Sequence, residues 1–204
     1  MAQNKLLLID SISIFNPINC IIKESKGANG GLLVKGILQR ANSVNFNKRM
    51  YPRKLMEIQV EKYNDKIKDG ISYGELDHPD RSDTWLSEAS HIIKELWWEK
   101  DDIYGIAEVL DWTPKGNLLK KYFDKGHTVG ISSRGVGSLR EAGLRNGSPY
   151  YEVGEDYEMV AFDFVSNPST QGAFMSPVVM KESKIYSNNF DILADEILNM
   201  SKIL

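Results

Sequence analysis

The sequence predicts an α+β fold, a sheet or barrel of short strands that carries two or three helices. Three observations predict it. Short runs rich in aliphatic and aromatic residues recur along the chain, each bounded by Gly, Asn, Pro or charged residues. Two internal stretches and one near the C-terminus space their apolar residues as a helix face would. The chain has 204 residues, 42% hydrophobic and 26% charged, enough for one sizeable core.

In chain order, Lys5 to Phe15 is an apolar, β-rich start. A Pro-Ile-Asn-Cys turn and a Gly-rich loop, Gly27 to Gly31, follow it. Leu32 to Ala41 reads as a strand, with Gly36 marking a bulge or a close approach. Asn42 to Pro52 is polar and punctuated, hence a loop. Arg53 to Lys66 reads as a helix, with Leu55, Met56, Ile58, Val60 and Tyr63 at loosely helical spacing and Pro52 near its start. Ser90 to Trp98 and Ile103 to Leu110 form a predicted hairpin across Glu99-Lys100-Asp101-Asp102. Lys115 to Lys125 is the second helix, with Gly126 as its stop. His127 to Ser132 is strand-like and leads into a Gly-rich segment. Tyr150 to Val153 and Tyr157 to Val165 are two further strands. The domain expectation is a catalytic unit over residues 1–180. Residues 181–204 then form a linker and an amphipathic helix, Phe190 to Leu204.

Composition excludes several classes. A net charge of −3 argues against a dedicated nucleic-acid binder. The cluster of Lys48, Arg49, Arg53 and Lys54 reads as a solvated loop and helix start. One cysteine, Cys20, excludes an internal disulfide framework and a multi-cysteine zinc site. No apolar stretch is long enough to span a bilayer or to serve as a secretory signal. The expectation is a soluble intracellular protein with no cofactor and no resident metal.

The chemistry-bearing residues fall in two segments about fifty residues apart. The first, Gly74-Glu75-Leu76-Asp77-His78-Pro79, offers a histidine in a turn-forming context with Glu75, Asp77 and Asp80 close in sequence. Any of these carboxylates could orient its ring. His91 and His127 have plain packing explanations. The second segment, Gly130-Ile131-Ser132-Ser133-Arg134-Gly135, offers two serines before glycines. It lacks the Gly-Lys-Ser/Thr ending of a phosphate loop and the spacing of an α/β-hydrolase elbow. A base, a hydroxyl and backbone N–H groups around Arg134 and Gly135 are the parts of serine acyl transfer. Asp163 sits in the apolar run Val160 to Val165. A buried acid there needs a partner, a histidine or an arginine; Asp77 and Asp80 are the alternative acids. His78 with its three neighbouring carboxylates would be the site of a metal hydrolase, the weaker alternative because no second histidine stands at helical spacing.

These segments, with Gly36 to Gln39, Asn45 to Pro52, Trp97-Trp98 and Asp102 to Gly105, resemble the prohead core proteases of large tailed phages. The stretches stand in the family's order over roughly residues 32 to 170. The resemblance implies a closed, antiparallel-rich β-barrel flanked by helices, like the herpesvirus assemblins. It implies a serine endopeptidase with His78 as base, Ser132 as nucleophile and Asp163 as the third member, and with Arg134 and Gly135 at the oxyanion. Its implied substrates are phage scaffold, core and major capsid proteins, cleaved after Glu with an aliphatic residue two positions earlier. The implied location is the host cytoplasm, inside the assembling prohead. Strings of that form at Ile22-Lys23-Glu24 and Ile93-Lys94-Glu95 leave room for self-cleavage, and a homo-oligomer is compatible. The rival reading is a catalytically inactive prohead scaffold protein with the same barrel.

Overall fold

Strand by strand, the apolar runs pair round a nearly closed barrel. The computed structural model describes residues 6–9 and 30–178. Its strands are β1 (Leu6–Ile9), β2 (Leu33–Arg40), β3 (Arg49–Met50), β4 (Tyr73–Glu75), β5 (Ala89–Glu99) and β6 (Asp102–Val109). They continue with β7 (Val129–Gly137), β8 (Leu139–Arg145), β9 (Ser148–Val153), β10 (Glu158–Val165) and β11 (Phe174–Pro177). The helices are α1 (Arg53–Lys68) and α2 (Pro114–Asp124). The Phe190 to Leu204 helix, the first three residues of the Gly-rich loop, the Ile22-Lys23-Glu24 string and Cys20 lie outside the described residues.

The ring runs β7, β11, β2, β6, β5, β4, β10 and back to β7. Six of its junctions are antiparallel. A ring with an odd number of strands cannot alternate direction all the way round, so one junction must be parallel. It falls between β4 and β10, where pairing shrinks to a single parallel bridge, Leu76 to Phe164, and the Asp77 N–H···O=C Phe164 bond at 2.8 Å. β1 lies on β7 beyond the ring, and β3, β9 and β8 form a separate small sheet.

Local chemistry explains most elements. The β5–β6 hairpin turns on Lys100 at φ 56. α2 begins where Thr113 caps it, accepting from Gly116 N–H at 3.0 Å. Gly36 marks a close approach, as expected: a Cβ there would stand 2.3 Å from the Phe174 carbonyl. The bulge itself lies between Ile37 and Gln39. β10 carries its own bulge between Met159 and Ala161, and α1 satisfies it. Gln59 Oε1 accepts from Met159 N–H at 2.9 Å, and Lys66 Nζ donates to Val160 O at 3.0 Å. The β10 face carrying Phe162 and Phe164 meets the helices, edge-on to Tyr63 of α1 and Phe123 of α2.

Several expectations are corrected. The strand expected to end at Ser132 does not stop there: β7 runs unbroken from Val129 to Gly137, through the Gly-rich segment, with strands paired along it. Strands β3, β4, β8 and β11 were not expected. The Ile93-Lys94-Glu95 string lies in β5 against β6, with Ile93 buried and Lys94 and Glu95 exposed, so it is a paired strand rather than an open loop. Arg53 of the basic cluster pairs with Glu57 and lies 3.5 Å over the Trp98 ring, so it packs rather than projects.

Candidate active site

The β7–β10 register brings the two segments together. Asp163 stands directly opposite Ser132, and Ala161 opposite Arg134. Residues directly opposite in an antiparallel pair project to the same face, and neighbours along a strand to opposite faces. Ser132, Arg134 and Asp163 therefore share one face. Ser133 shares the other with Phe162, its partner in register, and so with the helices.

His78 arrives from the parallel junction. Beyond β4 the chain turns at Asp77, which takes φ 65, a conformation Asp tolerates better than most residues. The turn lays the His78 ring on Asp163, with Nδ1 at 2.8 Å from Oδ2. A carboxylate only accepts, so Nδ1 carries the proton and Nε2 of the neutral ring has the free lone pair. Nε2 is buried and has no hydrogen-bond partner among the described residues. The turn lies near the surface, with Asp77 exposed, but the His78 side chain is only 6% exposed.

Asp163 is fully buried and receives four bonds. Besides His78, Arg134 donates Nε–H to Oδ2 at 2.7 Å and Nη2–H to Oδ1 at 3.1 Å, and Glu75 N–H donates to Oδ1 at 3.0 Å. Burial alone would raise its pKa. The bonds from His78 and Arg134 outweigh that and hold the carboxyl below its ordinary value. The expected choice between a histidine and an arginine partner resolves as both.

Glu75 builds the wall behind this cluster. It takes a bidentate pair from Arg81, accepts Trp85 N–H at 2.7 Å and lies 3.9 Å from Arg134. Burial pushes its pKa up against those cations. Asp77 and Asp80 are exposed, and neither is an acid that the structure pairs with His78. With Glu75 held by Arg81 and His78 by Asp163, the four groups of the metal alternative are not gathered round one point; among the described residues no such trio is.

Sequence reasoning assigned no role to the Arg134 side chain, to Glu75 beyond orientation, or to His91. His91 is buried, with Nε2–H donating to Phe162 O at 2.9 Å and Ser90 Oγ against Nδ1 at 2.9 Å. Burial pushes it down to about 4, so it stays neutral. Gly74 leaves room for it: a Cβ would stand 2.3 Å from His91 Cε1 and 2.1 Å from Phe162 O. His127 is exposed and edge-on to Tyr122.

Arg134 and Gly135 lie inside β7, with β10 on one side and β1 on the other. Consecutive N–H groups of an extended strand point to opposite neighbours, so the two cannot converge on one oxygen. On that ground the two do not form the expected donor pair.

A base tethered to an ionised acid, beside a strand serine on the same face, is the arrangement of a charge-assisted hydroxyl nucleophile. Comparison with known proteins points the same way. A family model described as prohead core protein serine protease matches residues 8–185. The chain is 36% identical over 162 residues to the prohead core protein protease of Enterobacteria phage T4, across 78% of this chain and 74% of that protein. Its structure is similar to that of the bacteriophage T4 capsid assembly protease, gp21, with a TM-score of 0.69 and 31% identity. That match covers 81% of this chain and 100% of the other.

Proposed function

The chain belongs to the prohead core protein serine protease family, and on that premise we propose that it is a serine endopeptidase acting through Ser132, His78 and Asp163. It is a phage prohead and capsid assembly protease. The proposed substrates are the scaffold, core and major capsid proteins of the assembling prohead, cut within the particle in the host cytoplasm. Cleavage after Glu is part of this proposal, as are self-processing at Ile22-Lys23-Glu24 and a homo-oligomeric state.

In the proposed reaction, Ser132 Oγ attacks the scissile carbonyl carbon while His78 Nε2 takes the hydroxyl proton. One backbone N–H of the Arg134–Gly135 pair, beside the β10 bulge, meets the developing oxyanion. The tetrahedral adduct collapses, the C–N bond breaks, and the imidazolium returns its proton to the leaving amine. Water then enters by the same route and releases the acid from the acyl-enzyme. Asp163 holds the ring with Nε2 toward the serine.

One observation supports this reading above the others: Ser132 and Asp163 stand opposite each other in register, with His78 already bonded to that acid. An inactive prohead component would have no need of a tethered histidine whose Nε2 has no hydrogen-bond partner among the described residues. The test is labelling with a fluorophosphonate, peptide mapping, and turnover of a core-protein substrate. The label is expected on Ser132. Ser132→Ala should abolish both labelling and cleavage with the thermal midpoint retained, and Ser133→Ala should keep measurable turnover. Label on Ser133, or cleavage that a chelator abolishes and the phosphonate spares, would overturn the reading.

A further inference from the structure

The guanidinium of Arg134 lies at the centre of the site and has no role in the proton-transfer steps above. It is fully buried, the largest such side chain among the described residues. Every polar face of it is engaged. The Nε and Nη2 side grips both oxygens of Asp163. Nη1 donates to three consecutive carbonyls, Arg81 at 3.1 Å, Ser82 at 3.0 Å and Asp83 at 2.8 Å, and Nη2 also reaches Thr84 Oγ1 at 3.2 Å. The planar fork is what makes this possible; an ammonium is a point charge and cannot serve a carboxylate and a row of carbonyls at once.

We propose that Arg134 is a positioning residue for catalysis, which locks the Asp163 carboxylate in the plane that faces His78 and fastens the 81–84 segment that follows His78 to the nucleophile strand. The inference rests on the serine-protease reading of the same site. His78 is thereby held from two sides. Its ring is tied to Asp163, and the chain just beyond it is tied through carbonyls to a residue two positions from Ser132. The clamp also neutralises Asp163, so the acid orients the ring more than it attracts a proton to it. The other titratable or charged groups that act on this cluster are Glu75 of β4, Arg81 and Asp83 of the segment, His91 of β5, and Tyr63 and Lys66 of α1.

The test compares full-length wild type, Arg134→Lys and Arg134→Gln by thermal melting, by fluorophosphonate labelling rate and by kcat/KM against pH. Arg134→Lys is expected to fold and to lose roughly 10²-fold or more in kcat/KM, the scale on which small misplacement acts. In Arg134→Gln, which removes the charge, the acid limb of the profile should move to higher pH by about one unit or more, and in Arg134→Lys, which keeps it, by less. The sign follows from the charge: without the guanidinium, the His78–Asp163 pair takes up a proton more readily, whichever residue carries it. Loss of height in Arg134→Gln with an unmoved limb would mark a purely structural residue and overturn the proposal, as would Arg134→Lys at near wild-type rate or failure of both variants to fold. Wild type that takes no label at Ser132 would instead sink the serine reading itself, so the two failures are distinguishable.

Discussion

Asp163 serves four donors, and its substitution should therefore cost two things at once. Asp163→Asn removes the acceptor that sets the His78 tautomer, and turnover should fall by roughly 10⁴-fold. It also leaves Arg134 buried against a neutral amide, and breaking one side of a buried pair destabilises by about 3–5 kcal/mol. Steady-state kinetics and a melting curve on the same sample check both, and Ser132→Ala, which breaks no ion pair, should show only the first. A second residue-scale prediction concerns His91. Its folded pKa is depressed to about 4, against an unfolded value near ~6.5. As pH falls through that window the unfolded chain binds the proton first. Stability is thus fully present above about 6.5, declines toward about 4 and flattens below, by a total of about 3 kcal/mol. His91→Gln can still donate to the Phe162 carbonyl but does not titrate. Denaturant melts of this variant from pH 7 to pH 4 should lose that slope.

The elements that carry the site are short, and side chains complete them. β4 has three residues and meets β10 by one bridge. What a longer ladder would supply comes instead from Asp163 on Glu75 N–H and from His91 on Phe162 O. The acid of the proposed triad is thus also a ladder partner. Gly74 is where β4 can least change. A Cβ there would press on a carbonyl and on a ring held at both nitrogens, neither of which is the loose end of a flexible chain. Gly74→Ala is expected to destabilise by about 1–3 kcal/mol. It should also lower kcat/KM, because β4 leads straight into His78. A variant with unchanged melting and kinetics would show that the junction is looser than its packing implies. The β10 bulge is supported differently, from α1 through Gln59 and Lys66, so the helix sets the shape of the strand that presents Asp163.

At the scale of the molecule, the parity of the barrel decides where the site can be. Six antiparallel junctions leave one that must be parallel, and a parallel junction cannot be closed by a tight hairpin. The barrel is weakest there in backbone pairing. Polar side chains gather at that seam, and the proposed triad is assembled from them. Within the described residues the last strand, β11, ends at Pro177, and Val178 N–H reaches Leu33 O. Because β11 already closes the ring between β7 and β2, we propose that the catalytic unit ends near residue 180. A chain truncated after Lys181 should melt cooperatively and cleave a peptide substrate at a rate within a few-fold of the full chain. Its packaging into proheads should be poor if residues 181–204 serve the scaffold. Aggregation or a non-cooperative melt of the truncated chain would place the tail in the core.

By itself the sequence determined the class of fold, most of the longer strands but only the first half of β7, the two described helices to within a few residues, and the residue types of the candidate site. Those signals are local: periodicity, caps and turn residues act within a dozen positions. Strands β3, β4, β8 and β11 escaped because two to four residues carry no period, and β8, Leu-Arg-Glu-Ala-Gly-Leu-Arg, has no apolar alternation to read. Only the tertiary structure decided which serine shares a face with Asp163, since the alternation of one strand does not say which residue of another stands opposite. It also decided that Asp163 takes both a histidine and an arginine, and that Arg134 reaches back to a segment fifty residues earlier. Those are contacts between parts of the chain whose meeting is set by register and barrel closure, and closure is a property of the whole ring of strands.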